Sequence, residues 1–181
     1  RNMSNPIDTT MAERAARTVK EKIEEMLFTK TSYSYGEKDG RGLNTIWSFL
    51  NHPDRNQVTL TTAWDDSSKT GKDIVDEVIA WKQVMINDRH YGPYGIYIPT
   101  AYETKLDEDY VGSTPDTNAT ITVRERILQI KGIEFIEVND KLPADNIVMV
   151  QLTSDVIRIV NGMGLQNIEW DQEGRFITKH K

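Results

Sequence analysis

The acidic stretch LDEDYVGSTPDTNAT, residues 106–120, holds the densest group of side chains that could bind a cation. An EF-hand loop beginning at Asp107 would need oxygen ligands at its first, third and fifth positions, Gly at the sixth and Glu at the twelfth. Asp107, Asp109 and Gly112 match this pattern, but the fifth position is a Val and the twelfth is an Asn. We therefore predict no metal site here, and we expect a solvated helix end followed by a loop.

Other motifs for catalysis or ligand binding are incomplete. The segment SKTGKD, residues 68–73, lacks the first Gly of a phosphate-binding loop and has Asp73 after its Lys, so it predicts a helix start instead. The three histidines do not have the spacing of metal ligands; they are His52, His90 and His180. The chain has no Cys, which excludes thiolate nucleophiles and disulfides. We predict no catalytic residue, no metal site and no cofactor.

Composition narrows the class of protein. A hydrophobic fraction of 38% and a charged fraction of 28% are typical of a globular domain with a core. The net charge is −6, and the Lys and Arg residues are dispersed, so specific nucleic-acid binding is not the expected role. No apolar run approaches the roughly 18 residues of a membrane span, the polar beginning RNMSNPIDTT does not resemble a signal peptide, and the absence of Cys fits an intracellular origin.

A long amphipathic helix is predicted from about Thr10 to Phe28. Apolar residues recur there at steps of three and four, which places them in one narrow stripe. The stripe comprises Met11, Ala15, Val19, Ile23, Met26 and Leu27. Thr10 and Glu13 have the spacing of a capping box. The other face is densely charged, so we expect the helix to lie along the flank of its own domain or along a neighbouring subunit.

The remainder of the chain alternates between helical and strand patterns. VTLTTAW predicts a strand, and Thr70 with Asp73 predicts the cap of a second helix. YGIYIP is expected to be a strand, AYETKLDEDY a short helix, and Thr122 with Glu125 the start of a further helix. IEFIEV, NIVMVQL, NIEW and RFITK read as short strands, while VIRIV is ambiguous between strand and helix. These patterns predict an α/β or α+β domain of roughly 120 residues, preceded by a long helix.

Several consecutive segments resemble one known family. They are GRGLNTIW followed by HPDRN, then RHYGPYGIYIPTAYETKLDEDY, and then TITVRERILQIKGIEFIEV through NGMGLQNIEW. In this order they resemble the major capsid proteins of tailed phages, which share the Hong Kong 97-type capsid fold with the encapsulins. The similarity extends over nearly the whole chain and is closer to the phage proteins than to encapsulins.

The resemblance implies an α+β fold with a long spine helix and a central mixed sheet flanked by helices. It also implies a domain organisation and a set of partners. Residues 1–50 would be the spine helix and connection of the peripheral domain, residues 51–164 the axial domain, and residues 165–181 strands returning to the peripheral domain. The expected partners are copies of the same chain in pentamers and hexamers, together with scaffold or decoration proteins. The shell would enclose nucleic acid without sequence-specific binding and without contact with a membrane. The protein would be made in the cytoplasm of a bacterial host and located in the virion.

The resemblance also suggests two groups of residues for assembly. The candidate loop at the capsomer axis contains Asp107, Glu108, Asp109, Tyr110 and Gly112. Complementary charges between subunits are expected on the spine helix, from Arg14, Arg17, Glu21 and Glu24. Family members usually have an N-terminal arm and an extended loop before the spine helix, and both clasp neighbouring subunits. We therefore also expect this chain to be a truncated, processed or engineered fragment, or a remnant gene product, that assembles poorly or not at all.

Two alternatives remain at this point. An encapsulin-like compartment shell would have the same fold, and neighbouring genes for cargo enzymes would distinguish it from a phage capsid. A small α/β ligand-binding or enzyme domain would need a deep pocket with convergent polar groups or a strongly perturbed pKa. No sequence motif indicates such a pocket.

Overall fold

The helices and strands are seen in a computed structural model that describes residues 6–29, 33–35, 44–111, 121–157, 169–171 and 178–180. The helices are α1 (Pro6–Phe28), α2 (Gly71–Asn87), α3 (Glu103–Leu106) and α4 (Val123–Leu128), and a 3-10 turn spans Thr100–Tyr102. The strands are β1 (Tyr33–Tyr35), β2 (Asn44–Ile46), β3 (Tyr94–Ile98), β4 (Ile133–Val138), β5 (Val148–Gln151), β6 (Glu169–Asp171) and β7 (Thr178–His180). The chain is mixed α+β, as predicted.

Three strands form the central sheet, in the order β4-β3-β5. The middle strand β3 runs parallel to β4 and antiparallel to β5, so the sheet is mixed. Gly95 lies where the ring of Phe135 covers β3, and a Cβ at this position would be only 2.4 Å from that ring. The small residue therefore leaves room for the far end of the Phe135 ring above the strand. Strands β1 and β2 form one antiparallel pair, and β6 and β7 form another.

One face of the sheet is covered by α2 and α4. The main hydrophobic core lies there, and its fully buried members include Trp64, Ile74, Val78, Ile96, Ile98, Tyr102, Leu106, Val123 and Ile127. The two helices approach closely at their N-terminal ends, because a Cβ on Gly71 would be 2.6 Å from a methyl group of Val123. This packing brings the starts of α2 and α4 to one end of the domain.

A second, smaller cluster holds the end of α1. Phe28, Leu142, Val148 and Val150 are its buried residues, with Phe49 and Tyr97 packed against them. The Phe28 ring contacts the Phe49 and Tyr97 rings edge to face, at centroid distances of 5.4 and 4.9 Å. Residues from the predicted units 1–50 and 51–164 therefore share this cluster.

Two local predictions were wrong, whereas the three strands predicted in YGIYIP, IEFIEV and NIVMVQL and both predicted helix caps were confirmed. Helix α1 begins at Pro6 instead of Thr10, so Thr10 does not cap it; proline suits a first turn, where no backbone N–H is required. VTLTTAW forms no strand, because no neighbouring strand pairs with it and only local alternation favoured one. The capping boxes at Thr70 and Thr122 are both present, at the starts of α2 and α4. VIRIV lies mostly outside the described residues.

Candidate functional site

The last turn of α1 attaches this helix to the rest of the domain. Phe28 is only 5% exposed, and the backbone N–H of Phe49 donates to the Leu27 carbonyl at 2.9 Å. One turn earlier, Asn139 Nδ2 donates to Glu24 Oε1 at 2.8 Å, although the two residues are 115 positions apart in the chain. Asn139 is itself buried, so the contact fixes the direction of the helix as well as its position.

The apolar stripe of α1 faces away from this attachment. Phe28 follows Val19 by nine residues, which is two and a half turns at about 3.6 residues per turn, so the two side chains point to opposite sides of the helix. Met11, Val19 and Ile23 are 66%, 40% and 48% exposed, and Ala15 is exposed as well. The domain therefore buries the end of the helix, including the last stripe residue Leu27, and leaves the part of the stripe from Met11 to Ile23 available for a partner.

The structure places the four predicted spine-helix charges in different surroundings. Arg17 Nε donates to Glu21 Oε1 at 2.8 Å within the helix, and both side chains are largely exposed. Glu24 accepts the hydrogen bond from Asn139. Arg14 is exposed. Glu21 and Glu24 also help to raise the pKa of Lys141, after the larger effect of its hydrogen bond with Asp140, which places these carboxylates on the domain-facing side of α1.

The acidic segment after α3 is neutralised in part by cations of the same domain. Asp107 Oδ1 lies 3.3 Å from Arg124 Nε, and Glu108 Oε2 lies 2.8 Å from Lys105 Nζ. Asp109 pairs through its backbone with Thr122 in an isolated bridge. The segment is therefore held against the start of α4.

Tyr110 completes this arrangement. Its ring lies under the guanidinium of Arg126, with Cζ 5.8 Å from the ring centroid, a cation–π distance. Its backbone N–H donates to the Ile121 carbonyl at 2.8 Å, across the loop. Gly112, the fifth residue of the predicted capsomer-axis loop, lies outside the described residues, which resume at position 121.

Arg124 is an important residue of this region that the sequence did not single out. Its Nη2 lies 2.7 Å from Glu103 Oε1, and its Nη1 donates to the Ile136 carbonyl of β4 at 3.3 Å. Hydrogen bonding to Glu103, and then to Asp107, raises the pKa of Arg124 further, with burial opposing the shift. One guanidinium therefore links α3, α4, β4 and the acidic segment. Its only sequence signal was a basic residue in the helix that follows the loop.

A buried ion pair was also missed by sequence reasoning. Lys69 is 7% exposed and pairs through Nζ with Glu77 Oε1. The other carboxylate oxygen of Glu77 accepts a hydrogen bond from Trp64 Nε1 at 2.9 Å. Both charged residues border an open groove of about 450 Å³, together with Thr61, Thr62, Ser68 and Asp73. Because each charged group already has a partner, the arrangement fixes Trp64 in the core.

The described residues contain neither a metal-binding cluster nor a membrane-spanning helix. No group of three or more His, Cys, Asp or Glu side chains in those ranges could hold a metal ion. None of the helices there is both long enough and apolar enough to cross a membrane.

Comparison with known proteins identifies the family. The chain belongs to the family of unknown function DUF6260, whose model matches residues 5–171. The match runs from the start of α1 to the end of β6 and thus includes the helix stripe, the acidic segment and the groove. No curated protein sequence matches the chain.

Proposed function

We propose that this member of the DUF6260 family is a structural subunit of a tailed-phage major capsid protein with the Hong Kong 97-type fold, or a fragment of one. In this role it assembles with copies of itself, as pentamers and hexamers, into an icosahedral shell that encloses the genome. The observation that carries the proposal is α1: a 23-residue helix attached to its domain by the last turn, with an exposed apolar stripe on the opposite side. A monomer gains nothing from that stripe, whereas a subunit can bury it between copies.

The elements that contain the resembling segments add support. The YGIYIP part of RHYGPYGIYIPTAYETKLDEDY contains β3, the central strand, and the following residues form the 3-10 turn and α3. The segment ITVRERILQIKGIEFIEV forms α4 and β4. Helix, turn and parallel strand thus follow in the order that the resemblance implies, around a single mixed sheet.

In the proposed shell, the segment Asp107–Tyr110 lies at the capsomer axis. The segment lies beside the N-terminal ends of both helices, because Asp107 pairs with Arg124 in the first turn of α4 and Tyr110 lies next to Gly71 at the start of α2. We take this end of the domain as the one that faces the axis. Nucleic acid would be enclosed without sequence-specific contacts, in keeping with the net charge of −6. Scaffold or decoration proteins remain further candidate partners, and the location would be the virion.

Assembly of the purified full-length gene product tests the proposal directly. Sedimentation velocity and negative-stain electron microscopy are expected to show shells, or particles of the size of pentamers and hexamers. Val19→Glu should abolish these assemblies, because it places a carboxylate in the stripe. Val58→Glu is the matched control, since Val58 is 53% exposed and lies outside α1. A full-length gene product that stays monomeric at high concentration would refute the shell role, whereas a monomeric fragment without the N-terminal arm and extended loop would not.

Two alternatives make different predictions. An encapsulin-like compartment would also assemble, so its gene would lie beside a peroxidase or ferritin-like gene instead of portal, terminase and scaffold genes. A small ligand-binding or enzyme domain is favoured by one observation, the groove beside Lys69 and Glu77. That groove is open, and its charged side chains already have partners within the domain. This alternative therefore ranks last.

A further inference from the structure

We propose that three aromatic side chains of the main core, Trp81, Trp64 and Tyr102, form a path for one-electron oxidation. A one-electron oxidant at the surface, such as a radical or a photo-excited dye, takes an electron from Trp81, and Tyr102 finally supplies it. The phenolic proton of Tyr102 passes to Asp145. The products are a neutral tyrosyl radical, a protonated Asp145 and the reduced oxidant. This activity is independent of a role in a shell, because it uses the core of a single chain.

The three rings are in contact along the whole path. Trp81 and Trp64 stack nearly parallel, at an angle of 5° and a centroid distance of 5.6 Å. Trp64 and Tyr102 follow at 5.7 Å, with an angle of 33° between the rings. Both distances lie within the range of interacting aromatic pairs. Because the rate of electron tunnelling falls exponentially with distance, rings in contact exchange an electron much faster than separated rings do.

The burial of the three side chains gives the path an entry and an end. Trp81 is half-buried and follows the exposed Ala80 on α2, so an oxidant in solution can reach it. Trp64 and Tyr102 are fully buried, so such an oxidant reaches them through Trp81. An oxidation that begins at the surface is therefore passed inward.

A proton acceptor at Tyr102 decides where the oxidation ends. A tyrosine that loses an electron becomes a strong acid, so a stable radical requires an acceptor for the phenolic proton. Tyr102 Oη donates to Asp145 Oδ1 at 2.9 Å. Burial, followed by this hydrogen bond, raises the pKa of Tyr102 above its ordinary value, so the phenol carries its proton at neutral pH. Asp145 is exposed and has no ion pair among the described side chains, so its carboxylate can take up that proton.

Trp64 differs from Tyr102 in the surroundings of its acceptor. Trp64 Nε1 donates to Glu77 Oε2 at 2.9 Å, but the other oxygen of Glu77 pairs with the buried Lys69. A proton on Glu77 would leave the ammonium group of Lys69 buried without a counterion, which is costly. Trp64 therefore keeps its proton and passes the oxidation on, whereas Tyr102 releases its proton and retains the radical.

A dye attached at one position can start the reaction at the entry of the path. The chain has no Cys, so Ala80→Cys supplies a single thiol beside Trp81 for a ruthenium polypyridyl dye. A laser flash in the presence of an electron-accepting quencher then produces the oxidant in place. Transient absorption and electron paramagnetic resonance report the tyrosyl radical, and Tyr102→Phe should abolish it. The matched control is Tyr97→Phe, which should leave the radical unchanged, since the ring of Tyr97 contacts two Phe rings instead.

Asp145→Asn tests the proton step while all three rings remain. Asn keeps a side-chain oxygen for the hydrogen bond from Tyr102, and it tolerates the positive φ of 61° at this position, so the variant should fold. Because the amide cannot take up the proton, the radical should form about 100-fold more slowly, the lower end of the effect of a positioned base. Circular dichroism checks the fold of each variant. A parent chain without a tyrosyl radical, a radical that persists in Tyr102→Phe, or an unchanged rate in Asp145→Asn would overturn the inference.

Discussion

Replacing Phe28 by Ala should undock α1 from the domain. Phe28 is 5% exposed, and truncating a buried Phe typically costs about 3 to 5 kcal/mol. Its ring also makes edge-to-face contacts with Phe49 and Tyr97, each worth about 0.5 to 1.5 kcal/mol beyond area burial. The cluster is small and lies at the end of a helix, so neighbours can close part of the cavity. We therefore expect a loss of about 3 kcal/mol, a large part of a typical total of 5 to 15 kcal/mol.

Urea unfolding followed by circular dichroism measures this loss, and the melting temperature should fall by roughly 10 °C. Met11→Ala is the control on the same helix, because Met11 is 66% exposed and should change the unfolding free energy by no more than about 0.5 kcal/mol. Hydrogen exchange supplies a local readout, since the N–H of Phe49 should lose protection with its bond to Leu27. A loss below about 1 kcal/mol, or equal losses in both variants, would refute the view that Phe28 anchors α1.

Three further outcomes are expected. Thr70→Ala removes a side-chain cap of α2 and should cost about 1 kcal/mol in urea unfolding, whereas Thr61→Ala, on an exposed residue, should cost little. Hydrogen bonds from the Thr70 hydroxyl and backbone N–H hold the pKa of Asp73 below its ordinary value of 3.8; this contribution to stability is present above pH 3.8 and is lost as the pH falls through the folded pKa. An NMR titration should accordingly show the pKa of Asp73 rising in Thr70→Ala, and an unchanged value would contradict the assignment. Gly95→Ala should lower the free energy of unfolding by about 1 to 3 kcal/mol, because the added Cβ would lie 2.4 Å from the Phe135 ring. Adding Phe135→Leu to this variant should relieve the clash, so the double variant should lose less than the sum of the two single losses. A loss equal to that sum would contradict the clash.

Sequence patterns predicted the elements that depend on short-range contacts. Thr70 and Thr122 each form hydrogen bonds with a residue three positions away, so their capping boxes can be predicted from the sequence. The strand prediction for VTLTTAW failed because a strand needs a partner that local alternation cannot specify. The order of strands in the sheet cannot be predicted from local sequence patterns either, since β3 pairs with β4 and β5 across separations of tens of residues.

The candidate site was less predictable for the same physical reason. Periodicity identified the stripe of α1, but it did not mark Phe28 as the anchor, because Phe28 lies off the stripe and its partners Phe49 and Tyr97 are distant in sequence. Arg124 is 17 positions from Asp107 and 21 from Glu103, with no pattern to join them. From sequence alone, a charged residue on a helix is predicted to be solvent-exposed, because its partners are distant in sequence and are brought near only by the fold.

These partners change what the acidic segment would do at a symmetry axis. If the segment lies at a capsomer axis, as proposed, five or six copies of Asp107, Glu108 and Asp109 would form a ring of repelling carboxylates. In the structure Arg124 compensates Asp107 and Lys105 compensates Glu108, while Asp109 has no ion pair among the described side chains. Arg124 also pairs with Glu103, so its one positive charge is shared between two carboxylates. Each copy would then bring fewer uncompensated charges to the ring than its carboxylates alone carry, and closing the ring becomes correspondingly less unfavourable. Arg124→Ala would restore the repulsion, so it should weaken capsomers more at low than at high salt, and equal weakening at both would place Asp107 away from the axis.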